Sequence, residues 1–347
     1  MGRRFPRQGS CSGDLAARGV LLGNGDREDR PSRHCTRPRI GRPPRPRSGA
    51  GPAVSTAAPS VWFAGARPRT LPAALAPVAI GTALAGTAWI PGRALLALIV
   101  AVALQIGVNY ANDYSDGIKG TDDSRVGPVR LVGQGLASPA AVRAAALLCF
   151  AIAAIAGLML VALTGHWWLL AVGASAIAAA WLYTGGPRPY GYAGLGEVFV
   201  LVYFGFVPVL GTLYVQTDSI DVAAVAAAAG VGSLITAILV ANNLRDIPSD
   251  TEAGKRTLAV RIGDRATRRL FVALIGIGFL AVPILAATAT TWALVGLAGI
   301  GWAIAPIRIV ARGATGPALV PALSATGILV AAYAFWLSAG LILGSIL

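Results

Sequence analysis

From residue 62 to its end the chain alternates apolar runs, most of them near 20 residues long, with short polar connections. No other feature constrains the fold as much. About 20 apolar residues is the length that crosses a bilayer as a helix, and a helix satisfies its own backbone where lipid offers no hydrogen-bond partner. The runs fall at 71–88, 92–110, 139–163, 168–183, 195–215, 222–241, 270–287, 291–310 and 318–347. Hydrophobic residues make up 55% of the 347 and charged residues 13%, about half the charge of a soluble domain. The expected fold is all-α, a polytopic membrane protein of about nine transmembrane helices.

Two polar blocks interrupt this pattern where apolar runs end. Residues 109–116 read NYANDYSD. If the second helix continues through them, Asn109, Asp113 and Asp116 fall at i, i+4 and i+7 on one face, with Asn112 close beside it. Two carboxylates a turn apart repel unless a cation sits between them, and magnesium is usually held by one or two carboxylates plus substrate phosphates. The second block follows the sixth run and reads NNLRDIPSD, with Asn242, Asp246 and Asp250 at i, i+4 and i+8. Pro248 opposes the carbonyl of Leu244, so the helix is expected to kink or stop near Arg245, with Asp250 reaching the site from a loop.

Charge separates a tail from the rest. Residues 1–58 hold twelve arginines against four acidic residues and are rich in Pro, Gly and Ser, which reads as a disordered basic N-terminal extension ahead of a transmembrane domain at 59–347. The tail is either an arm for anionic lipid or nucleic acid, or an extension with no role. Its near lack of aromatics argues against nucleic acid as a partner, despite a net charge of +14. Cys11, Cys35 and Cys149 suggest no disulfide framework. Beyond residue 58 there are seventeen Lys and Arg, and only Arg93 falls in a loop of one parity. The other sixteen mark the opposite side as cytosolic, and both acidic blocks share that side.

The only two lysines, Lys119 and Lys255, each follow one block, with Arg125 and Arg130 after the first and Arg256 and Arg261 after the second. Cations beside bound magnesium suit a diphosphate leaving group, whose oxygens gain charge as the bond breaks. Arg265, Arg268 and Arg269 are read as orientation charges only. Asp122 and Asp123 are further metal ligands or a solvated loop face.

Four blocks in order carry a resemblance: ARPRTLPAALAPVAIGT, NDYSDGIKGTDDSRVGPVRLV, YTGGPRPYGYAGLGE and NNLRDIPSDTEAGKRTLAVRIG. They resemble the membrane-embedded UbiA superfamily of aromatic prenyltransferases, and within it the branch acting on 1,4-dihydroxy-2-naphthoate in menaquinone synthesis. In the superfamily the aspartates of the first motif are often spaced by four. Here Gly117 takes that place and Asp116 sits at three, as in the naphthoate branch. The resemblance implies helices around a central cavity capped by cytosolic loops, in a bacterial cell membrane. It also implies transfer of a polyprenyl chain from polyprenyl diphosphate to the naphthoate, with loss of carbon dioxide and diphosphate. Asp113, Asp116, Asp246 and Asp250 would hold Mg2+, and Lys119, Arg130, Lys255 and Arg256 would neutralise the leaving group. Asn109 and Asp246 would orient a ring hydroxyl or take its proton, with Asn112 and Asn242 beside the substrates. Arg67, Arg69 and Arg188 would grip the diphosphate or the acceptor carboxylate, or else anchor the interface. Tyr183 and Tyr190 would line the cavity or belong to an aromatic belt.

A transporter is the rival from another class, since intramembrane carboxylates also mark ion pathways. Hydroxybenzoate, homogentisate and haem acceptors are the rivals within the family.

Overall fold

The computed structural model describes residues 58–120 and 129–347 of the chain. The expected N-terminal extension, and Asp122, Asp123 and Arg125, lie outside the described residues. Among the described residues a short helix, α1 (Pro59–Gly65), precedes nine apolar helices, seven long and two shorter. These are α2 (Pro72–Leu84), α3 (Pro91–Ile118), α4 (Pro139–Thr164), α5 (Leu169–Leu182), α6 (Gly196–Thr217), α7 (Val222–Glu252), α8 (Leu258–Thr288), α9 (Thr291–Ala311) and α10 (Gly316–Ile346). Seven of them are long and apolar enough to cross a membrane; α2 and α5, with 13 and 14 residues, are apolar but shorter. No strand occurs among the described residues.

Helix starts follow simple chemistry. Proline opens the first turn of α1, α2, α3 and α4, where its missing N–H costs nothing and its fixed φ suits the helix. Ser138 caps α4 by accepting from the Ala141 amide at 3.2 Å, and Asp221 caps α7 by accepting from Ala224 at 2.8 Å.

The central element is α7. Of its most apolar stretch 72% is buried, against 28 to 44% for the other six long helices. Small residues make this possible, because they let neighbouring backbones approach where lipid gives no hydrophobic drive to associate. At Gly205 on α6 an added Cβ would lie 2.7 Å from the Cα of Gly232 on α7, so these helices meet backbone to backbone. Phe271, Ile275 and Val282 of α8 and Leu329, Tyr333 and Leu337 of α10 close around α7. A second cluster, Tyr110, Leu131, Val142, Ala146 and Phe150, binds α3 to α4 and to the segment at 129–137. Large side chains left exposed on α4, such as Leu147, Ile155 and Leu163, form the face expected of a helix in lipid.

Two helices outrun their apolar runs. α3 continues from residue 110 to Ile118 and carries the first acidic block on helical backbone. α7 continues past residue 241 to Glu252, straight through Pro248. The expected stop near Arg245 does not occur, and Asp250 reaches the site from a helix rather than a loop. Pro248 removes one backbone bond to Leu244, but Leu244, Arg245, Asp246 and Asp250 are all buried there, and that packing holds the turn. The break comes later, at Gly263 in α8, where φ 79° and ψ 169° separate a short turn at 258–262 from the membrane helix. Arg268 staples that region, donating to the carbonyls of Val310 and Ala314 and to Asp264.

Candidate active site

A cavity of about 570 Å³ lies among α2 to α7. One end is polar, with Asn109, Asn112, Asp116, Arg130, Asn242, Asp250 and Lys255 on its wall. The remainder is apolar, with Val78, Ala97, Leu104, Leu160, Leu169 and Val215 among its lining.

The first acidic block divides between two directions. Successive helical residues turn by about 100°, which puts Asp113 roughly 40° to one side of Asn109 and Asn112 roughly 60° to the other. The cavity lies on the Asn112 side. Asn112 and Asp116 line it, and the Thr184 hydroxyl donates to Asn112 Oδ1 at 2.9 Å. Asp113 does not line it. Its carboxylate accepts from the backbone amides of Leu131 at 2.6 Å and Val132 at 3.2 Å, and so pins the segment carrying Arg130 against α3. Gly117 makes room for that segment, since a Cβ there would collide with the Val132 side chain.

Asn109 belongs to a network built around the chain's entry into the bundle. Its Nδ2 donates to the Ala66 carbonyl at 2.9 Å and to Thr70 Oγ1 at 3.1 Å, and Gln105 also donates to that hydroxyl. Thr70 in turn donates to the Arg67 carbonyl at 2.8 Å. Arg67 has a left-handed backbone, φ 54°, which a side-chain-bearing residue adopts only when its surroundings hold it there. The network supplies that hold, and Arg67 lines the cavity.

In the second block Asn242, Asn243 and Asp250 line the cavity. Asp246, also buried, forms a bidentate pair with its neighbour Arg245 at 2.6 and 2.8 Å and is not on the cavity wall. Nothing in the spacing of the block signals Arg245 as its partner.

The cations divide in the same way. Arg130 Nη1 is 3.8 Å from Asp116 Oδ2, and Lys255 Nζ is 3.9 Å from Asp116 Oδ1. Lys119 lies off the wall, donating to the carbonyls of Thr184 at 2.6 Å and Gly186 at 3.4 Å. Burial pulls its ammonium below the ordinary lysine value, the Lys255 charge adds to that, and Asp116 opposes both. Arg69, Arg188 and Arg256 are exposed and do not line the cavity.

Tyr192 escaped the sequence reading, which took only its neighbours Tyr183 and Tyr190. Its phenol donates to Asp116 Oδ1 at 2.5 Å, and its ring has Lys255 Nζ at 4.4 Å and Lys119 Nζ at 5.2 Å from its centre. Its carbonyl accepts from the Arg256 amide at 2.9 Å. Tyr192 thus ties the loop after α5 to the first acidic block and to the segment that follows the second. The other aromatics form a wall. Tyr190 stacks on Phe199 at 3.9 Å and meets Tyr183 edge to face at 5.5 Å, and all three line the cavity. The Tyr190 hydroxyl donates to the Ala179 carbonyl.

Among the described residues no three Asp, Glu, His or Cys side chains come together as a metal cage. The wall does offer two carboxylates, Asp116 and Asp250, on facing helices with Asn112 and Asn242 beside them. Hard oxygen donors in that number suit magnesium that takes its remaining ligands from phosphate and water.

This arrangement has relatives. The UbiA prenyltransferase family matches residues 74–319. The 1,4-dihydroxy-2-naphthoate octaprenyltransferase of Mycobacterium tuberculosis is 52% identical over 82% of this chain and 98% of its own. The Escherichia coli protein of the same name is 43% identical over 62% of this chain and 72% of its own. The solved structure of a UbiA homolog from Archaeoglobus fulgidus bound to GPP and Mg2+ superposes with a TM-score of 0.55 at 17% identity, covering 80% of this chain and 99% of that one. At that identity the likeness speaks for the fold alone. With a match that runs from α2 to the start of α10, and with relatives of this similarity, the chain belongs to the UbiA prenyltransferase family.

Proposed function

We propose that this chain transfers a polyprenyl group from polyprenyl diphosphate to 1,4-dihydroxy-2-naphthoate, releasing diphosphate and carbon dioxide and forming demethylmenaquinol for menaquinone synthesis. The observation that carries the reading is a cavity with Asp116, Asp250, Arg130 and Lys255 at one end and apolar walls along the rest. That is the polarity of a prenyl diphosphate. The acceptor is supported by relatives 40 to 52% identical that bear the naphthoate octaprenyltransferase name, from Mycobacterium tuberculosis, Mycobacterium leprae, Escherichia coli and Haemophilus influenzae.

Asp116 and Asp250 would hold magnesium, with Asn112 and Asn242 next to them on the cavity wall. The metal, when bound, neutralises charge on the diphosphate oxygens as they leave. Arg130 and Lys255 add fixed positive charge at the same end. The allylic C–O bond breaks with its electron pair passing to diphosphate. The ring carbon bearing the carboxylate attacks the resulting allylic cation. The bond from that carbon to the carboxylate then breaks, and its electron pair restores the aromatic ring as carbon dioxide leaves. Apolar walls keep water from the cation, and the faces of Tyr183, Tyr190 and Phe199 stabilise it.

The lipid bilayer is the other partner. The sixteen basic residues sharing one side support a multi-pass protein whose site faces the cytosol. Membranes containing the protein, given a polyprenyl diphosphate with the naphthoate, 4-hydroxybenzoate or homogentisate, should form a prenylated product from the naphthoate alone. The product mass should match loss of the carboxylate. Prenylation of another acid in its place would overturn the acceptor assignment.

A further inference from the structure

Glu197 is a buried carboxyl for which the reaction above has no use. It lies in the first turn of α6 and is 7% exposed. Its Oε1 accepts from Asn243 Nδ2 at 2.9 Å, and its Oε2 has no hydrogen-bond partner among the described residues. A buried carboxyl with an unfilled acceptor costs free energy that an apolar residue would not. Packing therefore does not account for it.

Asn243 gives it a purpose. A side-chain amide has one donating and one accepting end. The Glu197 oxygen accepts, so the amide nitrogen is turned towards it and the amide oxygen away. Among the described residues nothing donates to that oxygen, and Asn243 lines the cavity. Beside this pair stands the aromatic wall. Phe199 is on the same turn of α6, and a Cβ at Gly196 would come within 3.4 Å of the Tyr183 ring, so that ring rests against the helix next to Glu197. An acceptor oxygen beside ring faces suits an aromatic compound with a hydroxyl. It does not suit the donor, since an ionised diphosphate presents only acceptors and would repel it.

We propose that Glu197 is a positioning residue that fixes the Asn243 amide with its oxygen towards the cavity, where it accepts a hydrogen bond from a hydroxyl of the aromatic acceptor. This rests on the aromatic-acceptor reading above. A glutamine at 197 presents either end to Asn243 and so leaves the amide free to turn.

The test uses the full-length purified protein, with 1,4-dihydroxy-2-naphthoate and geranylgeranyl diphosphate each varied in turn. Glu197→Gln should raise KM for the naphthoate roughly twofold, because about half of the freed amides still present their oxygen, and leave KM for the diphosphate unchanged. Asn243→Ala should raise the same KM roughly tenfold, the size expected for one lost hydrogen bond, and the double variant should be no worse than Asn243→Ala alone, because Glu197 acts only through that amide. Equal changes in both KM values, no change in either, or effects that multiply in the double variant would overturn the proposal. If Glu197→Gln does not accumulate, Asn243→Ala decides by the same selective rise or its absence. Wild-type turnover of the naphthoate, measured alongside, tests the function itself separately.

Discussion

The Tyr192 phenol donates to Asp116 at 2.5 Å while Lys255 stands over the face of the same ring, 4.4 Å from its centre. Asp116 is 2% exposed, and burying a carboxylate is costly unless hydrogen-bond and cationic partners of this kind surround it. Tyr192→Phe keeps the ring under Lys255 and removes only the hydroxyl. It should lower kcat/KM for the prenyl diphosphate roughly tenfold or more, as for a hydrogen bond to a charged group. Tyr192→Leu, which also removes the cation–π contact, should lower it further. Steady-state kinetics with the donor varied measures both, and wild-type behaviour of the phenylalanine variant would contradict the role given to Tyr192.

The acidic residues should separate into two classes. Asp116→Asn and Asp250→Asn remove charge from the cavity wall and should each cost on the order of 10²- to 10³-fold in kcat while the protein stays folded. Asp113→Asn should act on stability instead. An asparagine there must turn its NH2 towards one of the amides of Leu131 and Val132, leaving a buried donor unpaired at a cost of about 1–3 kcal/mol. Thermal unfolding in detergent alongside single-turnover rates distinguishes the classes. An Asp113→Asn protein of normal stability and no activity would return Asp113 to the chemistry.

What the sequence displayed and what it concealed follow a physical line. Apolar runs and basic loops are written residue by residue, so helix positions and the two acidic blocks were legible. Helix ends were less so, because the turns past residues 110 and 241 are held by tertiary partners. Pro248 reads locally as a stop, yet it sits inside a buried helix. Periodicity put Asp113 and Asp116 on one broad face but could not show that the cavity takes Asn112's side of that face and the Arg130 segment the other. Tyr192 and Asn243 had no signal at all: a loop tyrosine and a second asparagine acquire their roles only from what the fold brings beside them.

Metal dependence should be complete. Chelation should abolish turnover and Mg2+ should restore it, because two carboxylates facing a diphosphate repel it unless a cation lies between them. Equilibrium dialysis with geranyl diphosphate gives a second readout: retention should fall when Mg2+ is removed. An enzyme that keeps both activity and donor binding in chelator would contradict the assignment of Asp116 and Asp250.

The arginines provide a contrast. Arg130 stands on the cavity wall 3.8 Å from Asp116, whereas Arg188 is exposed away from it. Arg130→Gln should lower kcat/KM for the donor roughly 10- to 100-fold, and Arg188→Gln should remain within about twofold of wild type. The reverse ranking would mean that the loop after α5 closes over the site when substrate binds.

The most direct measurement follows the carboxylate carbon. Purified protein given 1,4-dihydroxy-2-naphthoate labelled at the carboxylate and a polyprenyl diphosphate should release labelled carbon dioxide, diphosphate and prenylated quinol in equal amounts. A product that keeps the label, or carbon dioxide that appears without diphosphate, would contradict attack at the carboxylate-bearing carbon and with it the central claim.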